Sequence, residues 1–578
     1  MTFMQMPSTA AGSPAGTSSR LSRLGALVRR HWLLSLLLLA GLVLRIIVQI
    51  AYRPALFYID SIKYLFGAYP GNDPPGYNFV LKALLPVVNI DTVAALQHVA
   101  GLAMAVVIYA LLLRRGVARW LAALAAAPVL LDAYQLQLEA TIMPDVLFEV
   151  LLVAGFAVLL WRSQPKLWQI ILAGLLLGTT PTMWQPGEIL ILPTVVLLLC
   201  ILPTWRRKIG LALVMVVAFA IPIGVVSYHN KVDPKLHKFS LAPYAASTIY
   251  GRMAYAADCA TLKLPAYMKP LCPPRAVALR LGPDNLDHNI QSPLKHLVLP
   301  PGMAQHTVAT AFAKKVAEQQ PLLVAKSWLG DAIKLFEVHR VTSPGDTPIS
   351  RWQFQKTYPT FPPYVAVKDG VLRFGVQNSK TGVAQPLHYK VHLGGGDPTV
   401  VTPLAKFLRG YQLDGGYTPG PGLLLSLLLG LIGAACIFRR RRNTSQQARD
   451  AAWSCFFILG SGMAVLLLSD LFEFSWRYQL PAVITLPPAG ALGLSLIIGY
   501  IKARRSGQLE PAEPTEATTT TAASSAPADE TADKASEKDA DKSSADDATT
   551  DGPLEAGTAS GEGAEDREPQ GQNHASAG

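Results

Sequence analysis

Residues 31–52 have the sequence HWLLSLLLLAGLVLRIIVQIAY, an apolar run with a single charged side chain, Arg45. A bilayer core is about 30 Å thick, and an α-helix needs about 20 apolar residues to cross it, so this run predicts a membrane-spanning helix. Arginines precede the run, but no small-residue cleavage site follows it. We therefore interpret it as a retained span and not as a signal peptide.

Nine further apolar segments follow, which predicts about ten spans and a mainly α-helical, polytopic transmembrane bundle. The ten segments are residues 31–52, 92–113, 120–136, 144–161, 167–183, 187–204, 209–228, 421–438, 451–469 and 478–501. Pro128, Pro181 and Pro186 fall in or beside the third, fifth and sixth segments, where they can break a helix or favour a re-entrant hairpin.

Composition agrees with a membrane protein. The chain is 51% hydrophobic and 16% charged, whereas soluble domains are about 25% charged, which excludes a soluble globular protein. Lysine and arginine cluster in alternate connections between the spans, and such clusters mark the cytoplasmic side. This pattern predicts an inner-membrane protein with both termini in the cytoplasm. The basic charge indicates a membrane surface and not nucleic acid as the partner.

The spans divide the chain into regions. Residues 1–30 are predicted to be a disordered cytoplasmic N-terminus, 31–228 hold spans one to seven with a first outer loop at 53–91, and 421–501 hold the last three spans. Residues 502–578 are rich in Ala, Thr, Ser, Asp and Glu, which predicts a disordered acidic tail in the cytoplasm, because such a composition buries little apolar surface.

Residues 229–420 are long enough to form a mixed α/β domain outside the membrane. Residues 304–319 and 321–339 have helical periodicity, whereas 364–376 and 388–401 have the pattern of short strands. Cys259 and Cys272 both lie in this region. In an oxidising compartment we expect them to form a disulfide, with two unpaired thiols as the alternative.

Two acidic clusters are predicted at the outer water layer. Asp60 stands on a short amphipathic segment after the first span, before the rigid Asp73-Pro-Pro-Gly-Tyr77 turn. It is a positioned carboxylate able to take a proton, a helix cap or a solvated surface acid. Glu139 and Asp145 flank the start of the fourth span. Asp145 is either a site acid or a charge favoured at a helix N-terminus.

Several basic side chains remain open to two interpretations. Arg45 either extends its guanidinium toward the interface or binds an anion, and Arg477, next to Tyr478, either binds a phosphate or anchors the last span. Arg252 in the outer domain is a weaker candidate. The chain has no GxxxxGK[ST] loop, no HExxH helix and no glycine-rich dinucleotide fingerprint. These absences argue against ATP-driven transport, zinc proteolysis of that type and dinucleotide chemistry.

Taken together, these motifs resemble the GT-C superfamily of polytopic glycosyltransferases, in particular the protein O-mannosyltransferases and the aminoarabinose transferases of its family 39-like branch, and also related actinobacterial membrane proteins. The resemblance is carried by Asp60 with Tyr64 four residues later, the Asp73–Tyr77 turn, Glu139-Ala-Thr-Ile-Met-Pro-Asp145, Tyr250-Gly-Arg252, and Arg477-Tyr478-Gln-Leu-Pro481. These short motifs extend over residues 40 to 500.

The resemblance implies catalytic roles for Asp60 and Asp145. Asp60 would act as the base or orient the acceptor. The residues it implies for substrate binding are Lys63, Tyr64, Glu139, Arg252, Arg477 and Tyr478, with Arg477 a candidate for the donor phosphate. Two positions depart from the pattern. Asp73 stands where many relatives have His or Arg, and the segment Thr182-Met-Trp184-Gln185-Pro186 stands where relatives often have an Arg after the fifth span.

The predicted function is transfer of a sugar from a polyprenyl-phosphate-linked donor to an acceptor outside the cytoplasm. That acceptor is a glycan, a lipid or a protein. No metal site is assigned, although the resemblance leaves room for a divalent cation. The alternative is a non-catalytic membrane scaffold, or a lipid or glycan transporter, built on the same bundle. Convergence of Asp60, Asp145 and a cation at one outward cavity would favour the enzyme.

Overall fold

The computed structural model describes residues 17–245, 248–358, 365–377, 384–438 and 445–506. In these residues the protein is mainly helical. The predicted acidic tail, apart from its first residues 502–506, lies outside the described residues, as do residues 1–16 of the predicted N-terminus.

The first half of the chain forms eleven α-helices. They are α1 Thr17–Arg30, α2 Trp32–Ala51, α3 Ser61–Phe66, α4 Gly76–Leu84, α5 Ile90–Arg114, α6 Arg119–Leu131, α7 Ala133–Ala140, α8 Asp145–Leu160, α9 Leu167–Met183, α10 Ile191–Ile201 and α11 Trp205–Val232. Helix α1 lies within residues 1–30, the segment expected to be disordered.

Eight further helices follow in the described residues. They are α12 Thr248–Ala256, α13 Arg275–His288, α14 Gln305–Gln319, α15 Pro321–Ile333, α16 Thr402–Leu413, α17 Gly420–Ala435, α18 Gln446–Phe472 and α19 Pro481–Arg505. The helices predicted at 304–319 and 321–339 are confirmed as α14 and α15, although α15 ends at Ile333 and a short 3-10 turn follows it.

Five strands complete the described structure: β1 Tyr52–Arg53, β2 Val365–Lys368, β3 Val371–Gln377, β4 Ala384–His392 and β5 Thr399–Val400. Strands β2, β3 and β4 form an antiparallel sheet, and β1 pairs with β5. The single strand expected over 364–376 is a hairpin. Its turn is at Asp369 and Gly370, which both have positive φ, as tight hairpin turns require.

Among the described residues, five helices are long and apolar enough to cross a membrane: α2, α5, α11, α18 and α19. Helices α6 and α7 together make a sixth candidate, bent by 50°. Asp132 lies at this bend and caps α7 by accepting from the Tyr134 N–H, which explains why the third predicted segment is interrupted. By length and composition, the described structure is that of a multi-pass membrane protein.

A second apolar core lies in the predicted outer region. Helices α12, α13 and α14 enclose Tyr250, Leu286 and Phe312, all fully buried. The expected disulfide between Cys259 and Cys272 is present beside this core. Hydrogen bonds join the region to α18: the Trp328 indole donates to the Leu467 carbonyl at 2.7 Å.

Candidate active site

Asp60 directly precedes α3, and its side chain makes no capping hydrogen bond to that helix. Another residue fixes the helix: the Ser61 hydroxyl accepts from the Tyr58 N–H and donates to the Ile142 carbonyl, both at 2.9 Å. The Asp60 carboxylate is therefore available for other partners, and the interpretation of this residue as a helix cap is not supported.

Lys63 joins two carboxylates. Its ammonium group lies 2.9 Å from Asp60 Oδ1 and 2.9 Å from Asp73 Oδ2. Asp73 is held by the Pro-Pro-Gly turn, where Gly76 lies so close to α9 that a Cβ atom would come within 2.4 Å of the Thr182 carbonyl oxygen. The turn therefore requires glycine at this position, and Asp73, which departs from the family pattern, is part of the charge network.

Arg477 brings the second acidic cluster to the first. Its Nε and Nη2 donate to the two oxygens of Asp145 at 2.7 and 2.9 Å, a bidentate pair. Its Nη1 lies 3.6 Å from Asp60 Oδ2. Thus Asp60 and Asp145, 85 positions apart in sequence, converge on one guanidinium group.

Opposing effects set the ionisation of this network. Burial disfavours the charged form of Asp60, but Lys63 and Arg477 outweigh it and hold the pKa of the carboxyl below its usual value. For Lys63, burial acts against the ammonium form, yet Asp60 and Asp73 raise its pKa. Three carboxylates and two cations thus leave the cluster with a formal charge of about −1.

Tyr64 faces the same charges as a neutral phenol. It is buried edge-on against Tyr77, with ring centroids 5.5 Å apart. Burial, Asp73 and Asp60 all raise the pKa of its hydroxyl, so this phenol keeps its proton.

Aromatic rings line the charge network. The Tyr478 ring stacks on Trp184 at 5.2 Å, and the Arg477 guanidinium lies 5.5 Å from the Trp352 ring. Trp352 also packs against Tyr58 at 4.6 Å. Trp184, a departure from the family pattern, therefore forms part of the wall. Sequence reasoning did not find Trp352, which comes from the outer region and has no local motif.

A pair of acidic side chains adjoins this wall. Glu473 is close to Asp284 of α13 and to Tyr478. Burial, followed by the charge of Asp284, raises the pKa of Glu473, so its carboxyl favours the protonated form. No local pattern predicts this contact, because Glu473 and Asp284 are far apart in the chain.

Two predicted substrate-binding residues lie elsewhere. Glu139 is fully buried, with Oε1 2.7 Å from Arg45 Nη2 and Oε2 3.0 Å from His98 Nδ1. It does not face the outer water layer. Arg45 neither extends toward the interface nor stands free for an anion, because it is the buried partner of Glu139. Its guanidinium also donates to the carbonyls of Val129 and Leu130.

Arg252 is also fully buried. Its Nη2 lies 2.5 Å from Asp331 Oδ2 and donates to the Asp470 carbonyl at 2.8 Å. This arginine therefore links α12 to α15 and α18. Within the residues that the structure describes, no group of three or more His, Cys, Asp or Glu side chains is arranged to hold a metal ion, so the divalent cation gains no support there.

Comparison with known proteins supports the resemblance. Residues 60–232 match the model of the family described as dolichyl-phosphate-mannose-protein mannosyltransferase. The matched segment begins at Asp60 and contains Lys63, Tyr64, Glu139 and Asp145. The match confirms the resemblance to GT-C-type glycosyltransferases. It also supports the class predicted from the motifs, a membrane glycosyltransferase whose sugar donor is linked to a polyprenyl phosphate.

A structural match is the crystal structure of ArnT from Cupriavidus metallidurans bound to undecaprenyl phosphate. It covers 83% of this chain and 81% of that chain, at 13% identity and a TM-score of 0.24. A likeness this weak does not locate individual residues of this chain. Comparison with curated protein sequences finds no match.

Proposed function

We propose that this protein transfers a sugar from a polyprenyl-phosphate-linked donor to an acceptor hydroxyl on the extracytoplasmic side of the inner membrane. The observation that carries the proposal is the convergence of Asp60 and Asp145 on Arg477. Family similarity supports it, because the matched segment supplies both carboxylates.

In the proposed reaction, the acceptor oxygen forms a bond to the anomeric carbon while the bond from that carbon to the lipid phosphate breaks. Asp60 accepts a hydrogen bond from the acceptor hydroxyl and takes its proton as the new bond forms. A carboxylate with a lowered pKa is a weak base in the ground state. We therefore infer that Asp60 first orients the hydroxyl and receives the proton late, when the hydroxyl has become acidic.

Asp145 acts through Arg477. The bidentate pair fixes the orientation of the guanidinium, and its remaining Nη1 lies near Asp60. A cation held in this way can stabilise the negative charge of the departing lipid phosphate. Lys63, Tyr64 and Tyr478 border the same space and are proposed to contact the substrates. Glu139 and Arg252 are not included, because each is enclosed by its own partners.

The proposed topology has about ten spans, with residues 53–91 and 229–420 outside and both chain ends inside. The disulfide between Cys259 and Cys272 supports this orientation, because disulfides persist in oxidising compartments. The site would then face the side on which a lipid carrier presents its sugar.

The test compares the wild-type protein with Asp60→Asn in an assay that contains a radiolabelled polyprenyl-phosphate sugar and membrane acceptors. We expect transfer to fall by about 10²- to 10⁴-fold, the usual contribution of a positioned acid or base. Asp233→Asn, which changes an aspartate at the end of α11, is the matched control and should retain activity. Equal, measurable transfer by wild type and Asp60→Asn would remove Asp60 from the mechanism, whereas the absence of transfer by the wild type would favour the non-catalytic scaffold or transporter.

A further inference from the structure

A cavity of about 570 Å³ opens at the other end of α2, one helix length from the Asp60 site. It is lined by Arg30, His31, Leu113, Gly116, Val117, Ala118 and Arg119. We call it the basic cavity. A helix of 20 residues is about 30 Å long, so in the proposed topology the basic cavity lies on the opposite side of the membrane from the candidate active site.

The positive charges of the basic cavity are not balanced. In the described part of the chain, no carboxylate lies within ion-pair distance of Arg30 or Arg119, whereas the neighbouring Arg115 lies 3.5 Å from Asp450. Both unbalanced arginines act electrostatically on His31, whose Nδ1 lies 2.6 Å from the Tyr109 hydroxyl. A concave site with uncompensated guanidinium groups attracts an anion, and guanidinium geometry suits a phosphate in particular.

The N-terminus of α6 adds to this potential. Its cap, Ala118, has no side-chain group to accept the N–H groups of the first turn. The cavity therefore combines two cationic side chains with the positive end of a helix.

The surroundings indicate that the anion belongs to a lipid. Trp32 and Trp120, beside Arg30 and Arg119 in the sequence, are 63% and 52% exposed. Tryptophan favours the headgroup level of a bilayer. Leu113 and Val117 give the cavity an apolar wall where acyl chains would begin. A free phosphate ion has no apolar group that could pack against this wall.

We propose that the basic cavity binds the phosphate of an anionic phospholipid from the leaflet opposite the active site. Arg30 and Arg119 hold the phosphate oxygens, and His31 borders the headgroup. This site is separate from the proposed transferase reaction and does not depend on it.

The experiment titrates the purified full-length protein, in nanodiscs of phosphatidylcholine, with phosphatidylglycerol, and counts retained lipid by native mass spectrometry. The double variant Arg30→Gln/Arg119→Gln should lose about thirtyfold in affinity, roughly fivefold for each basic residue at the membrane surface. Arg206→Gln/Arg207→Gln removes two arginines from the start of α11, outside the cavity lining, and should bind as the wild type does.

Two further arms identify the anion. Inorganic phosphate should bind much more weakly than phosphatidylglycerol, and the wild type should retain phosphatidylglycerol in preference to phosphatidylcholine. The lipid preference of the wild type keeps the test valid if the double variant does not fold. The proposal is overturned if the two double variants lose affinity equally, if inorganic phosphate binds as tightly as the lipid, or if the wild type shows no lipid preference.

Discussion

Two charge clusters in this protein contain the same kinds of residue in different surroundings. The outer cluster has Asp60, Asp145 and Arg477 at its centre, and the Asp60 side chain is 23% exposed. The inner cluster has Glu139, Arg45 and His98, and the Glu139 side chain has no exposed surface. Each cluster has an arginine bound to a carboxylate at 2.7 Å.

The difference is in how completely the charges are enclosed. In the inner cluster, both oxygens of Glu139 have partners, and α5 approaches so closely that a Cβ atom on Gly101 would lie 2.0 Å from Glu139 Oε1. No substrate can enter there. In the outer cluster, carboxylates outnumber cations and part of the surface is open. A strong ion pair therefore stabilises the fold in one place and leaves a carboxylate able to react in the other.

The largest expected effect is on the inner cluster. Glu139→Ala leaves a buried arginine without its carboxylate, which we expect to destabilise the protein by about 3–5 kcal/mol. Thermal unfolding in detergent measures the loss. Glu318→Ala, at an exposed ion pair with Lys314 and Lys315, is the matched control and should change stability by less than about 1 kcal/mol. If Glu139→Ala were folded as stably as the control but inactive, the inner cluster would belong to the site.

A smaller effect is expected from Arg477→Lys. Lysine keeps the charge but cannot make the bidentate pair with Asp145, and a hydrogen bond to a charged group is worth about 1.5–3 kcal/mol. At about 1.4 kcal/mol for each factor of ten, transfer should fall by about 10- to 100-fold. Arg280→Lys, at an exposed arginine that donates to Gln291, should leave transfer unchanged. Full activity of Arg477→Lys would show that the bidentate pair with Asp145 is not needed for transfer.

The smallest expected effect concerns Glu473 and depends on pH. Because burial and Asp284 raise the pKa of Glu473, the folded protein holds this proton more tightly than the unfolded chain does. The wild type therefore loses stability as the pH rises from the unfolded value, about 4.3, through the raised folded value. Glu473→Gln lacks this loss and should unfold at a higher temperature than the wild type near pH 8, by roughly 1–2 °C.

That advantage should shrink near pH 4, where the wild-type carboxyl is protonated in both states. Glu337→Gln, at the residue that follows the 3-10 turn after α15, is the control and should show no such trend. A constant difference between Glu473→Gln and the wild type at all pH values would contradict the raised pKa of Glu473.

Local sequence patterns were enough to predict much of the fold and part of the candidate site. Apolar length located the helices that became α2, α5, α11, α18 and α19, because spanning a bilayer needs a continuous run of apolar residues. The motifs located Asp60, Asp145 and Arg477, which do meet. They also included Glu139 and Arg252, whose burial is decided by helices distant in sequence.

The sequence by itself predicted a multi-pass membrane protein, because composition and apolar length are local properties, and its short motifs carried the resemblance to glycosyltransferases. Only the tertiary structure decided which charges stay accessible. Asp73, Trp184, Trp352 and Glu473 become neighbours of the site because segments far apart in the sequence pack together there. Such contacts depend on how helices pack. Helix packing encloses Glu139 completely and leaves Asp60 partly exposed.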